Sequence, residues 1–193
     1  MTGEQQVQYE TGKRIKKIIN LPDNSSRRWL AEMRRGVGMA PGASPALWGM
    51  LFQDLPEEFF SVRREPSRAE WAIYTALTLF ALHQQGKNIK TDCMDKEGIS
   101  LGSAVAMLMD SEDDRERIWR RFQPVTNAKA IEDVSYHLRG IIQLLKAKGI
   151  CLDYSRLAGD LFVYQDVRRA DSIRLIWGED FYRVKKEESD NEE

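Results

Sequence analysis

The chain has 193 residues, of which 31% are charged and 42% hydrophobic, with a formal net charge of −1. This length suits one domain or two small ones and is sufficient to bury a hydrophobic core. No apolar run reaches the roughly 18–20 residues that a membrane-spanning helix needs, and the N-terminus lacks the basic-then-apolar order of a signal peptide, so we expect a cytoplasmic protein without membrane contact.

Helices are predicted along nearly the whole chain, beginning with residues 5–20. The basic run KRIKK, residues 13–17, is expected on the exposed side of this helix. A second helix is predicted to start from a cap at Ser25 or Ser26 and to stop at Gly36.

The second helix carries two arginine doublets that stand seven residues apart. Seven residues are nearly two α-helical turns, so Arg27 stacks over Arg34 and Arg28 over Arg35 along one side. Trp29 and the neighbouring apolar residues are expected in the core on the opposite arc. The doublets are therefore expected to be exposed.

The third and fourth helices follow a loop. Ser44 and Pro45 favour a helix start, and this helix should end before Pro56. Ser67 and the glutamate three residues later fit a capping box at the start of the fourth helix. That helix is apolar on nearly all sides, which is typical of a central core helix.

The second half of the chain predicts five more helical segments. They are SLGSAVAMLM (100–109), RERIWRRF (115–122) capped by the acids SEDD, residues 127–148 ended by Gly149, a helix capped by Asp153, and residues 167–183. Strand-like alternation is nowhere sustained. We therefore predict an all-α protein of two packed helical bundles, residues 1–110 and 111–186, followed by a disordered acidic tail, residues 187–193.

Charge is unevenly distributed along the chain. The tail carries five acids and no base, and without it residues 1–186 hold 29 basic and 25 acidic residues, a balance of +4. This balance is mild for a protein that coats duplex DNA alone, so the arginine clusters must be judged face by face.

No sequence pattern indicates catalysis. The chain has two histidines, no P-loop, no GxGxxG and no nucleophile elbow, and Cys93 and Cys151 lack metal-ligand spacing. His83 and His137 are better explained as structural side chains, and the five tryptophans as core residues. We expect no enzymatic activity, cofactor or metal site; a metal-dependent nuclease would need clustered carboxylates that the sequence does not provide.

The basic residues carry the remaining functional signal. Besides the doublets they are Lys87, Arg120, Arg121, Arg139 and Arg168. Guanidinium groups in rows suit phosphate oxygens, which they can bind bidentately. On pattern alone, nucleic-acid binding and a solvated face are about equally supported. A protein-interaction adaptor, whose arginine helix meets an acidic protein groove, is the alternative from another class.

Seven stretches in order resemble the CasB family, the small subunit of the type I-E CRISPR effector complex, Cascade. They are WLAEMRRGVG, EPSRAEWAIYTALTLFALHQQGKN, GISLGSAVAML, RRF, YHLRGIIQLL, LDYSRLAGDLF and WGEDFYR, and the resemblance spans roughly residues 27–183. The resemblance implies a non-catalytic, all-helical subunit present in two copies. It also implies that the subunit contacts the backbone and large subunits of Cascade, the guide RNA, the target DNA and its displaced strand.

The resemblance also implies which basic residues bind nucleic acid. The family pattern places contacts at Arg34, Arg35, Lys87, Arg120, Arg121 and Arg139, and matches Arg168 less closely. Arg27 and Arg28 are added because each lies about two helical turns before Arg34 or Arg35 on the same side of the second helix. Two departures make the local potential more negative than the family pattern. Asp95 stands where many relatives have histidine, and Glu179 where many have arginine.

Overall fold

The computed structural model describes residues 1–183, and the predicted acidic tail lies outside them. The α-helices of this part are α1 (Gly3–Asn20), α2 (Asp23–Arg35), α3 (Trp48–Leu51), α4 (Arg68–His83), α5 (Leu101–Ala106), α6 (Arg115–Asn127), α7 (Ile131–Lys148), α8 (Tyr154–Tyr164) and α9 (Ala170–Arg183). Short 3-10 helices precede α3, α4 and α6, and β-type pairing within residues 1–183 is limited to an isolated bridge between Asp95 and Leu152. The all-α prediction is confirmed.

Helix α4 is the central helix of the fold. Its predicted capping box is present, because Glu70 N–H donates to Ser67 Oγ at 3.1 Å and Ser67 N–H donates to Glu70 Oε2 at 2.6 Å. Side chains on nearly every side of α4 are buried, and the helix packs against α1, α2, α7 and α8. An apolar helix of this kind can be covered only from several directions at once.

The two halves of the chain contact each other extensively. Helix α8 packs on α1 and α4, and α5 packs on α9. Buried residues from both halves form one hydrophobic cluster, from Val7 in α1 to Phe181 in α9. The division at residues 110–114 into two bundles stays a prediction.

The first helix differs from its prediction at one basic residue. Lys13, Lys16 and Lys17 are exposed as predicted, but Arg14 is only 4% exposed. Its guanidinium is ion-paired with Glu10 and donates to the carbonyls of residues 50, 51 and 53 at 2.9–3.1 Å. Arg14 therefore anchors the end of α3 to α1, because it satisfies carbonyls that a helix end leaves without partners.

Helix α2 begins earlier than its serines predict. It starts at Asp23 after Pro22, no side chain caps it, and Ser26 is buried with its hydroxyl donating to the Asp23 carbonyl at 3.0 Å. The predicted cap at Ser25 or Ser26 is therefore wrong. The predicted end at Gly36 is confirmed.

The segment after α2 is less helical than predicted. Residues 45–47 form a 3-10 turn, and α3 is a single turn that ends at Leu51. Because α3 is so short, Leu47, Met50 and Leu51 take the buried positions and Trp48 remains 49% exposed, with its indole N–H donating to the Gly42 carbonyl at 2.9 Å. The core placement of Trp48 was wrong, whereas Trp177 is fully buried as predicted.

In the second half of the chain every predicted helix is present, but some bounds differ. Helix α6 continues to Asn127 instead of ending at 122, and α7 begins at Ile131 instead of 127. Ser100 and Asp153 accept N-terminal N–H groups of α5 and α8, and Gly149 ends α7 in the left-handed region at φ 68°. The SEDD segment instead forms a 3-10 turn, and its Asp114 makes no cap bond to α6.

Candidate nucleic-acid interface

Three of the predicted basic residues meet in one cleft between α2 and the loop that follows α4. Arg27 and Arg34 from α2 and Lys87 from the loop line this open cleft of about 450 Å³, which we call the α2 cleft. The loop reaches α2 because the chain turns at Gly86, whose φ of 88° is readily adopted only by glycine. Side chains about sixty residues apart in the sequence thus share a surface.

The charge of the α2 cleft is only partly neutralised. Arg27 and Arg34 have no carboxylate within 4.0 Å among the described residues, whereas Lys87 pairs with Asp92 at 3.2 Å. Asp23, which also lines the cleft, pairs with Lys90 at 2.7 Å, and the hydrogen bond and charge of Lys90 lower the pKa of Asp23. The cleft therefore presents two guanidinium groups that form no salt bridge within residues 1–183, beside two lysines paired with exposed carboxylates. Arg27 is still close enough to Asp23 for its charge to lower the pKa of that carboxyl further.

One further cation extends the α2 cleft. Lys146 of α7 donates to the side-chain oxygen of Gln85, a cleft residue, at 2.9 Å. The position of Lys146 depends on the packing of α7 against α4, which the sequence pattern did not predict.

The other two arginines of α2 lie outside the cleft. Arg28 and Arg35 are exposed, and Arg35 pairs with Glu32 at 2.7 Å. Residues 27 and 28 differ by about 100° around a helix, so the two rows face different directions. The structure thus separates Arg27 and Arg34 from Arg28 and Arg35.

A second cleft, of about 370 Å³, holds two more of the predicted residues. Arg121 of α6 and Arg139 of α7 line it together with Tyr136, His137 and Gly140, and we call it the α7 cleft. Both arginines are exposed, and neither has a carboxylate partner in residues 1–183. The sequence pattern indicates the two arginines but not Tyr136, which is 71% exposed.

Arg120 and Arg168 lie in neither cleft. Arg120 is ion-paired with Glu116 one helical turn earlier, and Arg168 lies 3.8 Å from Asp166 with 93% of its side chain exposed. Exposed ion pairs of this kind contribute about 0–1 kcal/mol, so each arginine can exchange its carboxylate for a phosphate at little cost.

A third cleft, of about 920 Å³, has mixed charge. It lies between α1 and α8, with Lys13 and Lys16 on one side and Asp95, Asp153 and Asp160 among the acids. Burial raises the pKa of Asp160 to about 7 and that of Asp95 to about 6. This mixture of signs makes it a weaker candidate for phosphate than the two smaller clefts.

The two departures from the family pattern have structural partners. Asp95 Oδ1 accepts the N–H of Tyr154 at 2.9 Å, so it caps α8 next to the N-cap Asp153. Glu179 pairs with Arg183 at 3.5 Å. Asp95 thus satisfies an N-terminal N–H group of a helix, which accounts for a carboxylate at that position.

The histidines do not form a reactive site. His83 is fully buried and shares a 2.9 Å hydrogen bond with the Tyr154 hydroxyl, while His137 packs edge-on to Tyr136. Within residues 1–183, no three His, Cys, Asp or Glu side chains are grouped closely enough to hold a metal ion. None of the helices in the same range is both long and apolar enough to cross a membrane.

These features define a class, an all-helical protein whose basic side chains line separate surface clefts. The chain matches the family model of the CRISPR-associated protein Cse2 over residues 29–182. It therefore belongs to the Cse2 family, also called CasB. The crystal structure of CasB from Thermobifida fusca is 31% identical, with a TM-score of 0.76, and the alignment covers 92% of this chain and 98% of the other.

A second solved structure supports the fold alone. The crystal structure of CasB from M. ruber has a TM-score of 0.68 at 23% identity, and the alignment covers 93% of this chain and 97% of that one. A comparison with curated protein sequences found no match.

Proposed function

We propose that this chain is the non-catalytic small subunit of a type I-E Cascade complex and that it stabilises the R-loop of guide RNA and target DNA. The observation that carries the proposal is the α2 cleft, in which Arg27, Arg34 and Lys87 converge from two separate segments. Family membership supplies the assembly in which such a cleft would act.

The chemistry of the cleft suits phosphate rather than base edges. Two guanidinium groups without carboxylate partners can bind phosphate oxygens with charge-assisted hydrogen bonds. Phosphate contacts position a nucleic acid without reading its sequence. This matches the task of a subunit in a complex whose guide RNA already supplies sequence recognition.

The remaining predicted contacts are part of the same proposal. Arg121 and Arg139 offer a second phosphate site in the α7 cleft. Arg28, Arg35, Arg120 and Arg168 would add exposed charge around the two clefts. The exposed ion pairs of Arg35, Arg120 and Arg168 would exchange for phosphate at small cost.

Energetics explain why a mildly basic subunit suffices. The exchange of a DNA duplex for a guide RNA–DNA heteroduplex is nearly balanced in free energy. A few phosphate contacts from each copy of the subunit can therefore shift this exchange toward the heteroduplex. The balance of +4 over residues 1–186 predicts weak binding by the isolated chain and stronger binding within the assembly.

The experiment is a pull-down with the tagged chain from cells that express the other Cascade subunits and a guide RNA. We expect guide RNA in the eluate and, by native mass spectrometry, more than one copy of this chain per complex. Addition of target DNA should give an R-loop that dissociates faster when Arg27 and Arg34 are both replaced by alanine. No cleavage of the target by the purified chain with divalent metal is expected.

Two results would contradict the proposal. If the eluate holds protein partners but no guide RNA, the protein-interaction adaptor is the correct function. If the purified chain cleaves DNA in a metal-dependent way and one carboxylate substitution abolishes this, the subunit is an enzyme.

A further inference from the structure

We propose that the α7 cleft binds one unpaired nucleotide, with Tyr136 stacking on the base while Arg121 and Arg139 hold the flanking phosphates. The ligand class is single-stranded nucleic acid, bound without sequence preference. This inference rests on the proposed function and extends it, because phosphate contacts alone would not distinguish a single strand from a duplex.

Tyr136 is the first observation. It lies in the middle of α7 with 71% of its surface exposed, although a tyrosine ring is usually at least partly covered. His137 packs against it at 5.2 Å between ring centroids and at 74° between ring planes, so the histidine supports an edge of the ring. Tyr136 is therefore an aromatic surface with no evident packing role in the core.

The second observation is the open helix surface at Gly140. This glycine follows Tyr136 by four residues, so both lie on the same side of α7. A β-carbon built at Gly140 would meet no atom within 4 Å, which means that the helix surface beside the tyrosine ring is open. Glycine in a helix interior costs about 1 kcal/mol relative to alanine. The unoccupied helix surface beside Tyr136 leaves space for a flat base to stack against the ring.

The arginines are the third observation. Arg121 comes from α6 and Arg139 from α7, and no carboxylate in residues 1–183 pairs with either. A single strand binds where cationic groups follow its backbone and an aromatic ring stacks on a base. In a duplex the bases are already stacked on their neighbours, so Tyr136 could not reach one. The combination in this cleft therefore favours an unpaired strand.

The test measures the affinity of the purified chain for oligothymidylate and for an abasic strand of equal length. Tyr136→Ala should weaken oligothymidylate binding about tenfold, the loss typical of one stacked base, and leave abasic-strand binding unchanged. Tyr136→Phe should retain the affinity, because the ring is kept. Tyr182→Ala is the matched control, since Tyr182 is also exposed, at 54%, but lies in neither cleft.

Gly140→Leu tests the same site by adding a side chain instead of removing one. The side chain should fit without a clash inside the protein and should maintain or raise the melting temperature, while it fills the space of the base. We expect weaker binding of oligothymidylate and unchanged binding of the abasic strand.

The outcomes separate this inference from the proposed function. If Arg121→Ala with Arg139→Ala weakens both strands but Tyr136→Ala weakens neither, the phosphate site stands and the stacking site is wrong. Equal losses on both strands for Tyr136→Ala would also overturn the stacking site. If Tyr136→Ala instead reduces the capture of protein subunits and leaves strand binding intact, the cleft is a protein contact.

Discussion

His83 at the end of α4 and Tyr154 at the start of α8 share a hydrogen bond of 2.9 Å in the protein interior. Both side chains are fully buried, and their rings meet at 65° with centroids 6.0 Å apart. Burial, with the charges of Lys87 and Lys146, lowers the pKa of His83 to about 4. The histidine is therefore neutral at physiological pH and connects two helices that are distant in sequence.

Tyr154→Phe should lower the free energy of unfolding by about 1–3 kcal/mol, because it leaves His83 Nδ1 buried without a partner. The ring volume stays nearly the same, so the loss reports the hydrogen bonds of the hydroxyl, to His83 and to the Leu79 carbonyl at 3.4 Å, rather than packing. Urea denaturation at pH 7.5 measures it. Tyr182→Phe, at an exposed position, should change the free energy by less than about 0.5 kcal/mol. Equal losses in the two variants would contradict a specific role for the bond.

Asp160→Asn should stabilise the protein at neutral and alkaline pH but not in acid. Burial raises the pKa of Asp160 to about 7, although Trp177 donates its indole N–H to the carboxylate at 2.7 Å. The usual pKa of an aspartate is lower, so the folded state holds this proton where the unfolded state has lost it. Asparagine keeps an acceptor for the indole and never becomes charged.

The pH dependence of this effect has a definite sign. Below about pH 4 the carboxyl is neutral in both states, so the parent and Asp160→Asn should melt at similar temperatures. As the pH rises from about 4 to about 7 the parent should lose stability relative to the variant, and the difference should then level off. His83 and Asp95 titrate in both the parent and the variant, so their contributions largely cancel in the difference between the two melting temperatures. Asp113→Asn, at an exposed site, is the control; a difference that does not change with pH would contradict the prediction.

Gly102→Ala should destabilise the fold strongly, because α5 packs on α9 at this glycine. A β-carbon at residue 102 would lie 2.2 Å from the Trp177 carbonyl oxygen, so the helices would have to separate. We expect a loss of about 1–3 kcal/mol, as for overpacked cores. Gly178→Ala in α9 meets no atom within 4 Å and should instead be neutral or stabilising. Thermal melts of both variants test this, and equal stabilities would show that α5 and α9 can separate freely.

Helix ends were predictable where the stabilising groups are close in sequence. The bonds of Ser67 with Glu70 and of Asp153 with Arg156 span three residues, and Gly149 adopts its left-handed conformation locally. Such motifs can be recognised in a few residues of sequence. The start of α2 was missed because neither candidate serine caps the helix.

The candidate site was only partly predictable for a related reason. The basic residues could be named from the sequence, but their grouping depends on contacts between distant segments. Lys87 joins α2 because the loop after α4 folds back, and Arg121 joins Arg139 because α6 packs on α7. Tyr136 stands off the buried positions Val134, Leu138 and Ile141 of its helix, so the helical period was enough to place its ring outside the core. Its position beside Arg121 of another helix could not be read from the sequence.

The two arginine rows of α2 give a test in which charge and helix are matched. Arg27→Ala with Arg34→Ala removes two cations from the α2 cleft, while Arg28→Ala with Arg35→Ala removes two from outside it. If both cleft arginines contact phosphate, the slope of log affinity against log salt should flatten by about 1.4 for a single strand and about 1.8 for a duplex. The outer pair should flatten it less, because Arg28 and Arg35 lie outside the cleft in which Arg27, Arg34 and Lys87 converge.

Folding controls keep this last prediction interpretable. Arg27, Arg28 and Arg35 are exposed as predicted, whereas Arg34 is only partly exposed. None of the four lies in the core, so each substitution should cost about 0.5 kcal/mol or less. Trp29→Ala should instead lower the melting temperature, because the ring packs against the core. The loss of binding should be the same for every DNA sequence, since phosphates carry no base information. If the outer pair flattens the slope as much as the cleft pair, the cleft has no special role; if neither pair changes it, the arginines of α2 do not bind nucleic acid.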